Sequence, residues 1–204
     1  MRVRLLALLA LCGVVTPALR SQSTPVPVEP ESRIWFDGTA TLHGFTCTAG
    51  EFAAEVQPAA AHQDSTSRRP VQRRGTLTIP VRRLECGDGK MEKSMRKALR
   101  ADENPDIRFE LVEYDLARQS DDSATVRADG TLELAGETRS VSLVVGAKRR
   151  ADGAVRLTGS RALYMTDFGI TPPTGLLGLI KAGNRIVVRF DVVVPAERLA
   201  TASR

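Results

Sequence analysis

The chain has 204 residues, of which 42% are hydrophobic and 26% charged, with a formal net charge of +5. This length fits one folded domain plus segments that are processed away. Three of the 29 basic residues lie in the N-terminal leader described next, so the remainder carries a charge of about +2, and it has only six Phe, two Tyr and one Trp. That balance excludes a basic, aromatic-rich surface for nucleic acid.

The N-terminus, "MRVRLLALLALCGVVTPALRS", has the layout of a secretory signal peptide. Two arginines precede an apolar run from Leu5 to Val15, and small residues follow it. The run is too short for a transmembrane helix, and no second apolar run is long enough for a transmembrane segment. We therefore expect a signal peptide over residues 1–20, cleaved near Ala18 to Ser21, and a protein that is periplasmic or secreted.

The segment after the leader, "SQSTPVPVEPES", contains three prolines and few large apolar residues. It predicts an extended lead-in over residues 21–32. The folded domain is expected over residues 33–196, and a disordered tail over 197–204.

From Arg33 onward, apolar and polar residues alternate with the period of β-strands. The first such stretch predicts one long strand with bends at Gly38 and Gly44, and Pro80 in the third predicts an edge or a bulge. Eight strands are expected, over "RIWFDGTATLHGFTC", "GEFAAEVQ", "GTLTIPVRRLEC", "IRFELVEYDL", "TVRADGTLELAG", "RSVSLVVGAKR", "AVRLTGSRALYM" and "NRIVVRFDVVVP".

One segment, "GDGKMEKSMRKALRADENPDI", changes to a helical period. Its apolar residues share one helical face, and the helix is expected to start after Gly89 and to be ended by Asn104 and Pro105. Those residues are Met91, Met95, Ala98 and Leu99. A methionine stripe can bind ligands, but packing against the core is the favoured interpretation.

Antiparallel strands linked by hairpins, each apolar on one face, favour a sheet closed on itself. The sequence thus predicts an all-β fold, a single extended eight-stranded antiparallel β-barrel with one or two short helices. Strands of ten to twelve residues give an interior of about 35 to 40 Å, which suits a long, thin ligand.

Two cysteines, Cys47 and Cys86, remain once Cys12 leaves with the leader. An even pair in an exported protein predicts one disulfide. A metal or redox pair is not supported, because there is no CxxC motif and the only histidines are His43 and His62.

No catalytic constellation accompanies these elements. His43 has no Ser, Cys or carboxylate motif beside it, and the chain lacks GxSxG, HExxH and phosphate-loop motifs. We expect no enzymatic activity, no metal and no cofactor.

The stretch "TDFGITPPTGLLGLIKAGN" is apolar without alternating. Thr174 is expected to cap a short helix over residues 174–182, in which Leu176, Leu177 and Ile180 share a face and which Gly183 ends. Such a helix would cover the mouth of the barrel. A mobile lid and a fixed plug remain alternative interpretations.

Taken together, six segments resemble the YceI-like family of exported bacterial proteins, associated with lipid and polyisoprenoid binding. They are "FDGTATLHGFTC", "GTLTIPVRRLECGDGKMEKSMRKAL", "NPDIRFEL", "ADGTLELAGETRSVSL", "YMTDFGITPP" and "KAGNRIVVRFDVVV". The resemblance spans Arg33 to Pro195. It implies a lipocalin-like barrel whose lumen takes an isoprenoid quinone or a similar long-chain lipid, and it supports the bridge between Cys47 and Cys86.

The leading hypothesis is a non-enzymatic carrier or sequestering protein for an apolar long-chain lipid, with no nucleic-acid partner. The lumen and lid residues expected to contact the ligand are Phe36, Leu42, Phe45, Phe109, Leu132, Leu143, Leu157, Phe168, Leu176, Leu177, Ile180 and Phe190. The alternative is a filled barrel that acts through its surface as an envelope stress or partner-binding protein. The sequence leaves a homodimer open.

Overall fold

The structure is a computed structural model that describes residues 24–41, 43–56, 75–175 and 180–196. These residues form twelve β-strands, one α-helix and two short 3-10 helices. The strands are β1 Thr24–Val26, β2 Arg33–Ala40, β3 Gly44–Ala49, β4 Ala53–Val56, β5 Gly75–Pro80, β6 Leu84–Glu85, β7 Asp106–Gln119, β8 Ser123–Leu134, β9 Glu137–Arg149, β10 Val155–Tyr164, β11 Thr174–Gly175 and β12 Ile180–Val194. The helix α1 is Gly89–Ala98, and the 3-10 helices are Val81–Arg83 and Met165–Phe168.

All strand pairs are antiparallel, in the order β1-β4-β5-β7-β8-β9-β10-β12-β2-β3-β6, with β11 added beside β12. The sheet curls into a half-barrel. The predicted all-β, barrel-like class is therefore confirmed. The predicted number of eight strands is wrong, because two expected strands are each divided and the short strands β1 and β11 are added.

The first expected strand folds back on itself as the hairpin of β2 and β3. The backbone N–H of Ala40 donates to the carbonyl of His43 at 2.8 Å, which reverses the chain. The reversal brings the rings of Phe36 and Phe45 together edge to face, with centroids 6.4 Å apart. One long strand would have kept these rings apart, so this contact between aromatic side chains favours the hairpin.

The third expected strand is divided at Pro80. Proline has no N–H to continue a ladder and its φ is fixed near −65°, the value found here, so the chain turns into the 3-10 helix Val81–Arg83. Val81 becomes one of the most buried side chains, and its N–H donates to the carbonyl of Pro105 at 2.8 Å. The chain then joins β3 through the two residues of β6.

Helix α1 begins where its capping residue dictates. The carboxylate of Asp88 accepts hydrogen bonds from the N–H groups of Lys90 and Met91 at 2.7 and 3.0 Å, so Gly89 is its first residue. The helix ends at Ala98, before the predicted end at Asn104 and Pro105. The early end follows from Arg100, which takes the left-handed conformation with a φ of 51°.

The helix predicted over residues 174–182 is wrong for the residues that the structure describes. Thr174 and Gly175 form β11 and pair with Lys181 and Ile180 at the start of β12. Leu176 and Leu177 lie outside the described residues. Gly175, which lies within the predicted range, would cost a helix about 1 kcal/mol relative to alanine.

The strand conformation of Lys181 is held by neighbouring backbone. The N–H of Thr41 donates to the carbonyl of Lys181 at 3.0 Å, and the N–H of Lys181 donates to Oγ1 of Thr41 at the same distance. Both backbone groups of Lys181 are thus satisfied by a segment far away in sequence. Such tertiary partners override a local helical pattern.

The other expected hairpins are present. β8 and β9 are joined by a tight turn in which Ala135 and Gly136 have φ values of 53° and 82°, the signs that a type I′ turn requires. Val141 and Leu134 are buried at the base of this hairpin. Within the ranges given above, no helix is long and apolar enough to cross a membrane.

The predicted disulfide is confirmed. Cys47 of β3 and Cys86, just after β6, are bonded with a sulfur–sulfur distance of 2.01 Å. Cys47 is almost fully buried, and Sγ of Cys86 lies 3.6 Å from Sδ of Met95 in α1. The bridge therefore ties the edge of the sheet to the helix that packs beside it.

Candidate ligand cavity

The concave face of the sheet is built from alternate residues of neighbouring strands. Where β10 pairs with β12, Leu157 lies opposite Val192 and Leu163 opposite Ile186. Residues of the other phase, such as Arg189, point to the convex face, where its guanidinium binds Asp37 at 2.9 Å. The period-two pattern of the sequence therefore becomes one apolar and one charged face.

The concave face encloses a cavity of about 960 Å³. This volume lies at the upper end of the range of about 300 to 1,000 Å³ found for small-molecule sites. Most of its lining side chains are aliphatic or aromatic. The structure thus contains an open apolar interior of the size of a ligand site.

Nine of the twelve side chains expected to contact a ligand line this cavity. They are Phe36, Phe45, Phe109, Leu132, Leu143, Leu157, Phe168, Ile180 and Phe190. The other three, Leu42, Leu176 and Leu177, lie outside the described residues. Phe168 is 2% exposed, in the 3-10 helix that follows β10.

Three of these phenylalanines lie against glycines of the neighbouring strand. Phe45 covers Gly38, its partner in the β2–β3 pair, and Phe190 covers Gly159, its partner in the β10–β12 pair. The ring of Phe109 in β7 also covers Gly130 of β8, although Phe109 pairs with Leu132 and Gly130 with Leu111. A Cβ at any of these glycines would clash with the ring, so the rings lie along the sheet and leave the centre of the cavity open.

Helix α1 supplies a second wall of the cavity. From the sequence, its apolar face was expected to pack against the core. Met91, Met95, Ala98 and Leu99 all line the cavity. Met95 and Leu99 are also buried, at 9% and 8% exposure. The apolar face of the helix therefore both packs against the core and lines the cavity. The helical spacing of its apolar residues was the signal in the sequence for this wall.

Sequence reasoning missed Arg161, although the signal was present. Arg161 follows the same alternation as Leu157 and Leu163, and it lies opposite Val188 on the concave face. Its side chain is exposed to the cavity and solvent. Only two other lining residues of the described chain, Asp88 and Lys90 at the start of α1, belong to the four charged residue types.

Two carboxylates of the described chain, one at the cavity and one on the convex face, have identifiable partners. Hydrogen bonds from the N–H groups of Met91 and Lys90 lower the pKa of Asp88 below its ordinary value of 3.8. A hydrogen bond from the guanidinium of Arg156 lowers the pKa of Asp191 in the same way. Both carboxylates are therefore anionic at neutral pH and are occupied by structural contacts. In the described ranges, no group of three or more His, Cys, Asp or Glu side chains is placed to hold a metal ion.

The ladder between β9 and β10 is incomplete. β10 pairs with β12 along its whole length, from Val155 to Tyr164, but with β9 only as far as Gly159, opposite Val145. Beyond that pair, the two strands diverge. The 3-10 helix Met165–Phe168 lies at the far end of the gap, where Nε of Arg139 donates to the carbonyl of Asp167 at 2.8 Å.

The fold and the cavity define a class of all-β proteins that enclose an apolar interior within one curled antiparallel sheet. The YceI-like domain profile matches residues 27–194, which is most of the chain. The chain therefore belongs to the YceI-like family. A search of curated protein sequences finds no significant match.

Solved structures with a similar fold come from several bacteria. BcnA of Burkholderia cenocepacia aligns with a TM-score of 0.64 at 16% identity, over 82% of this chain and 99% of its own. A polyisoprenoid binding domain from Saccharophagus degradans, implicated in plant cell wall breakdown, aligns with a TM-score of 0.63 at 12% identity, over 84% and 97%. The YceI protein of Campylobacter jejuni aligns with a TM-score of 0.52 at 16% identity, over 72% and 82%.

Proposed function

We propose that the protein is an exported, non-enzymatic carrier that holds a long-chain apolar lipid, a polyisoprenoid or an isoprenoid quinone, in the cavity. The observation that carries the proposal is the apolar concave wall around about 960 Å³ of open volume. Membership of the YceI-like family and the similarity to a polyisoprenoid binding domain support the same ligand class. Export to the periplasm is supported by the predicted leader and by the disulfide.

Binding would rest on the burial of apolar surface, at about 25 cal/mol per Å². Many side chains would share that free energy, so removal of one aliphatic wall residue is expected to weaken binding without abolishing it. Blocking the space is the sharper test. A filled barrel acting only through its surface would need large side chains in the lumen, and the open volume does not favour it.

The first experiment is to purify the protein without detergent from the periplasm of a bacterial host and to identify bound lipid by native mass spectrometry. We expect a bound isoprenoid lipid, or uptake of an added isoprenoid quinone by the empty protein. A protein that carries no lipid and takes up no added quinone would contradict the proposed function.

Two adjacent residues of β9 provide matched variants. Leu143 lines the cavity, whereas Val144 points outward with 63% of its surface exposed. We expect Leu143→Trp to fill part of the lumen and to lower lipid content several-fold, with Val144→Trp retaining the wild-type content. Equal lipid content in the two variants would show that the lipid binds outside this cavity.

A further inference from the structure

Arg161 is a cation on an otherwise apolar stretch of the concave wall. Along β10 it lies between Gly159 and Leu163, and across the sheet it faces Val188. The cross-strand partners of Gly159 and Leu163 are Phe190 and Ile186, which are also apolar. Alternation alone would place another aliphatic residue here.

Arg161 also differs from the arginines on the convex face. Arg156 and Arg189 each bind an aspartate of a neighbouring strand, Asp191 and Asp37. Within the described residues, no carboxylate lies within ion-pair distance of Arg161. Its side chain is exposed, so its charge is compensated by solvent.

The position of Arg161 coincides with the gap in the sheet. It is the second residue of β10 beyond the last pair with β9, and Leu143 and Tyr164 line the cavity on the two sides of that gap. Tyr164 is 49% exposed, so its surroundings are open to solvent. A polar group placed here would contact both the guanidinium and water while an attached chain lay in the apolar cavity.

A guanidinium offers a planar fork of N–H donors that matches the oxygens of a phosphate or a carboxylate. A wholly neutral lipid would displace water from Arg161 without replacing its hydrogen bonds, which costs free energy. An anionic headgroup replaces them. We propose that the gap between β9 and β10 beside Arg161 binds the phosphate or carboxylate headgroup of the lipid whose chain fills the cavity.

This inference rests on the proposed function, so its test uses ligands that share one chain. The probes are geranylgeraniol, geranylgeranyl phosphate and geranylgeranoic acid, titrated into the disulfide-bonded protein at low ionic strength. We expect the wild-type protein to bind at least one of the two anions about tenfold or more tightly than the alcohol, as a charge-assisted hydrogen bond implies. The anion that gains affinity identifies the headgroup.

Three variants test whether the preference for an anionic probe comes from Arg161 or from the positive charge of the protein as a whole. Arg161→Gln should abolish the difference between the anions and the alcohol, and Arg161→Lys should retain part of it, because a lysine keeps the charge without the fork. Arg185→Gln is the matched control, since Arg185 is an exposed arginine of the adjacent strand β12 that does not line the cavity. It should retain the wild-type preference.

The outcomes distinguish the two proposals. If the wild-type protein binds the three probes equally, or if Arg161→Gln keeps the preference for an anion, the inference is wrong and the proposed function stands. If the wild-type protein binds none of the probes, the inference is wrong, and the uptake of an isoprenoid quinone described above decides whether the proposed function stands. Thermal unfolding of each variant checks that its fold is intact.

Discussion

The pairing of glycine with phenylalanine is the residue-scale feature that keeps the cavity open. A glycine in a strand normally weakens the sheet, because it has no side chain to pack. Here Phe45 covers Gly38 and supplies the missing contact. The ring is thereby held against the sheet, so an aromatic residue covers the wall without filling the lumen.

Replacing Gly38 with alanine should displace the Phe45 ring. The atoms nearest to a Cβ at this position all belong to that ring. We expect Gly38→Ala to lower the free energy of unfolding by about 1 to 3 kcal/mol, the usual cost of overpacking, in urea titrations. The added change Phe45→Leu should recover part of the loss.

Gly89 gives the control for this substitution. It is the first residue of α1, and a Cβ there would meet no atom within 4 Å. Gly89→Ala should leave stability unchanged or raise it slightly. If Gly38→Ala lowers the free energy of unfolding no more than Gly89→Ala does, the position of the Phe45 ring does not depend on a glycine at residue 38.

The ion pair of Asp191 and Arg156 predicts a dependence of stability on pH. The hydrogen bond from Arg156 lowers the pKa of Asp191 in the folded protein below its ordinary value of 3.8. The carboxylate therefore stabilises the fold fully above that value, and the contribution is lost as the pH falls through the lowered pKa. Because Arg156 is 55% exposed, we expect at most about 1 kcal/mol.

Urea titrations of Asp191→Asn and the wild-type protein at about pH 7 and about pH 2 measure this contribution. At the higher pH, the wild-type protein should be more stable than Asp191→Asn. This difference in unfolding free energy should be smaller at the lower pH. Asp121→Asn, in the turn after β7, serves as the control without an ion pair in the described chain. A difference that is equal at both pH values would contradict the assignment to Asp191.

At the scale of elements, the disulfide joins parts that have few other connections. β6 has two residues and, among the described strands, pairs with β3 alone, and α1 begins shortly after it. The bridge between Cys47 and Cys86 spans 39 residues of sequence. A cross-link across a loop of that length stabilises a fold by about 3 to 4 kcal/mol in the chain-entropy account.

We expect the double variant Cys47→Ala/Cys86→Ala to lose about 3 to 4 kcal/mol of unfolding free energy, measured by urea titration. Wild-type protein under reducing conditions should lose a similar amount, which separates the cross-link from the loss of two sulfur atoms. A loss below about 1 kcal/mol in both samples would show that the loop is already constrained without the bridge.

The accuracy of the sequence predictions also varied from element to element. The long strands β7 to β10 and β12 followed from alternation, because each has one face in the interior and one in water. The hairpin of β2 and β3 was missed because its turn lacks the usual short turn motifs. The segment around Thr174 was misjudged because Lys181 is held by Thr41, a contact that no local pattern reports.

At the scale of the whole molecule, the alternation of apolar and polar residues located much of the cavity wall. It could not reveal where the sheet that forms this wall is interrupted. The aromatic and aliphatic lining residues share a phase with their neighbours, so they could be chosen from the sequence. The gap between β9 and β10 depends on how two strands diverge after Gly159, which is a property of the curled sheet. The role proposed for Arg161 depends in part on that gap.

The position of β12 constrains how the protein reaches its native state. β12 lies between β10 and β2, so the centre of the sheet joins the last strand of the chain to the second. Phe190 pairs with Ile34, and the N–H of Glu29 donates to the carbonyl of Val193 at 2.9 Å. Contacts between such distant segments slow folding, because closing the long intervening loop loses chain entropy before the contacts give any stabilisation. The sheet is completed only after Val194 is available, so a partly synthesised chain keeps the edges of β10 and β2 unpaired.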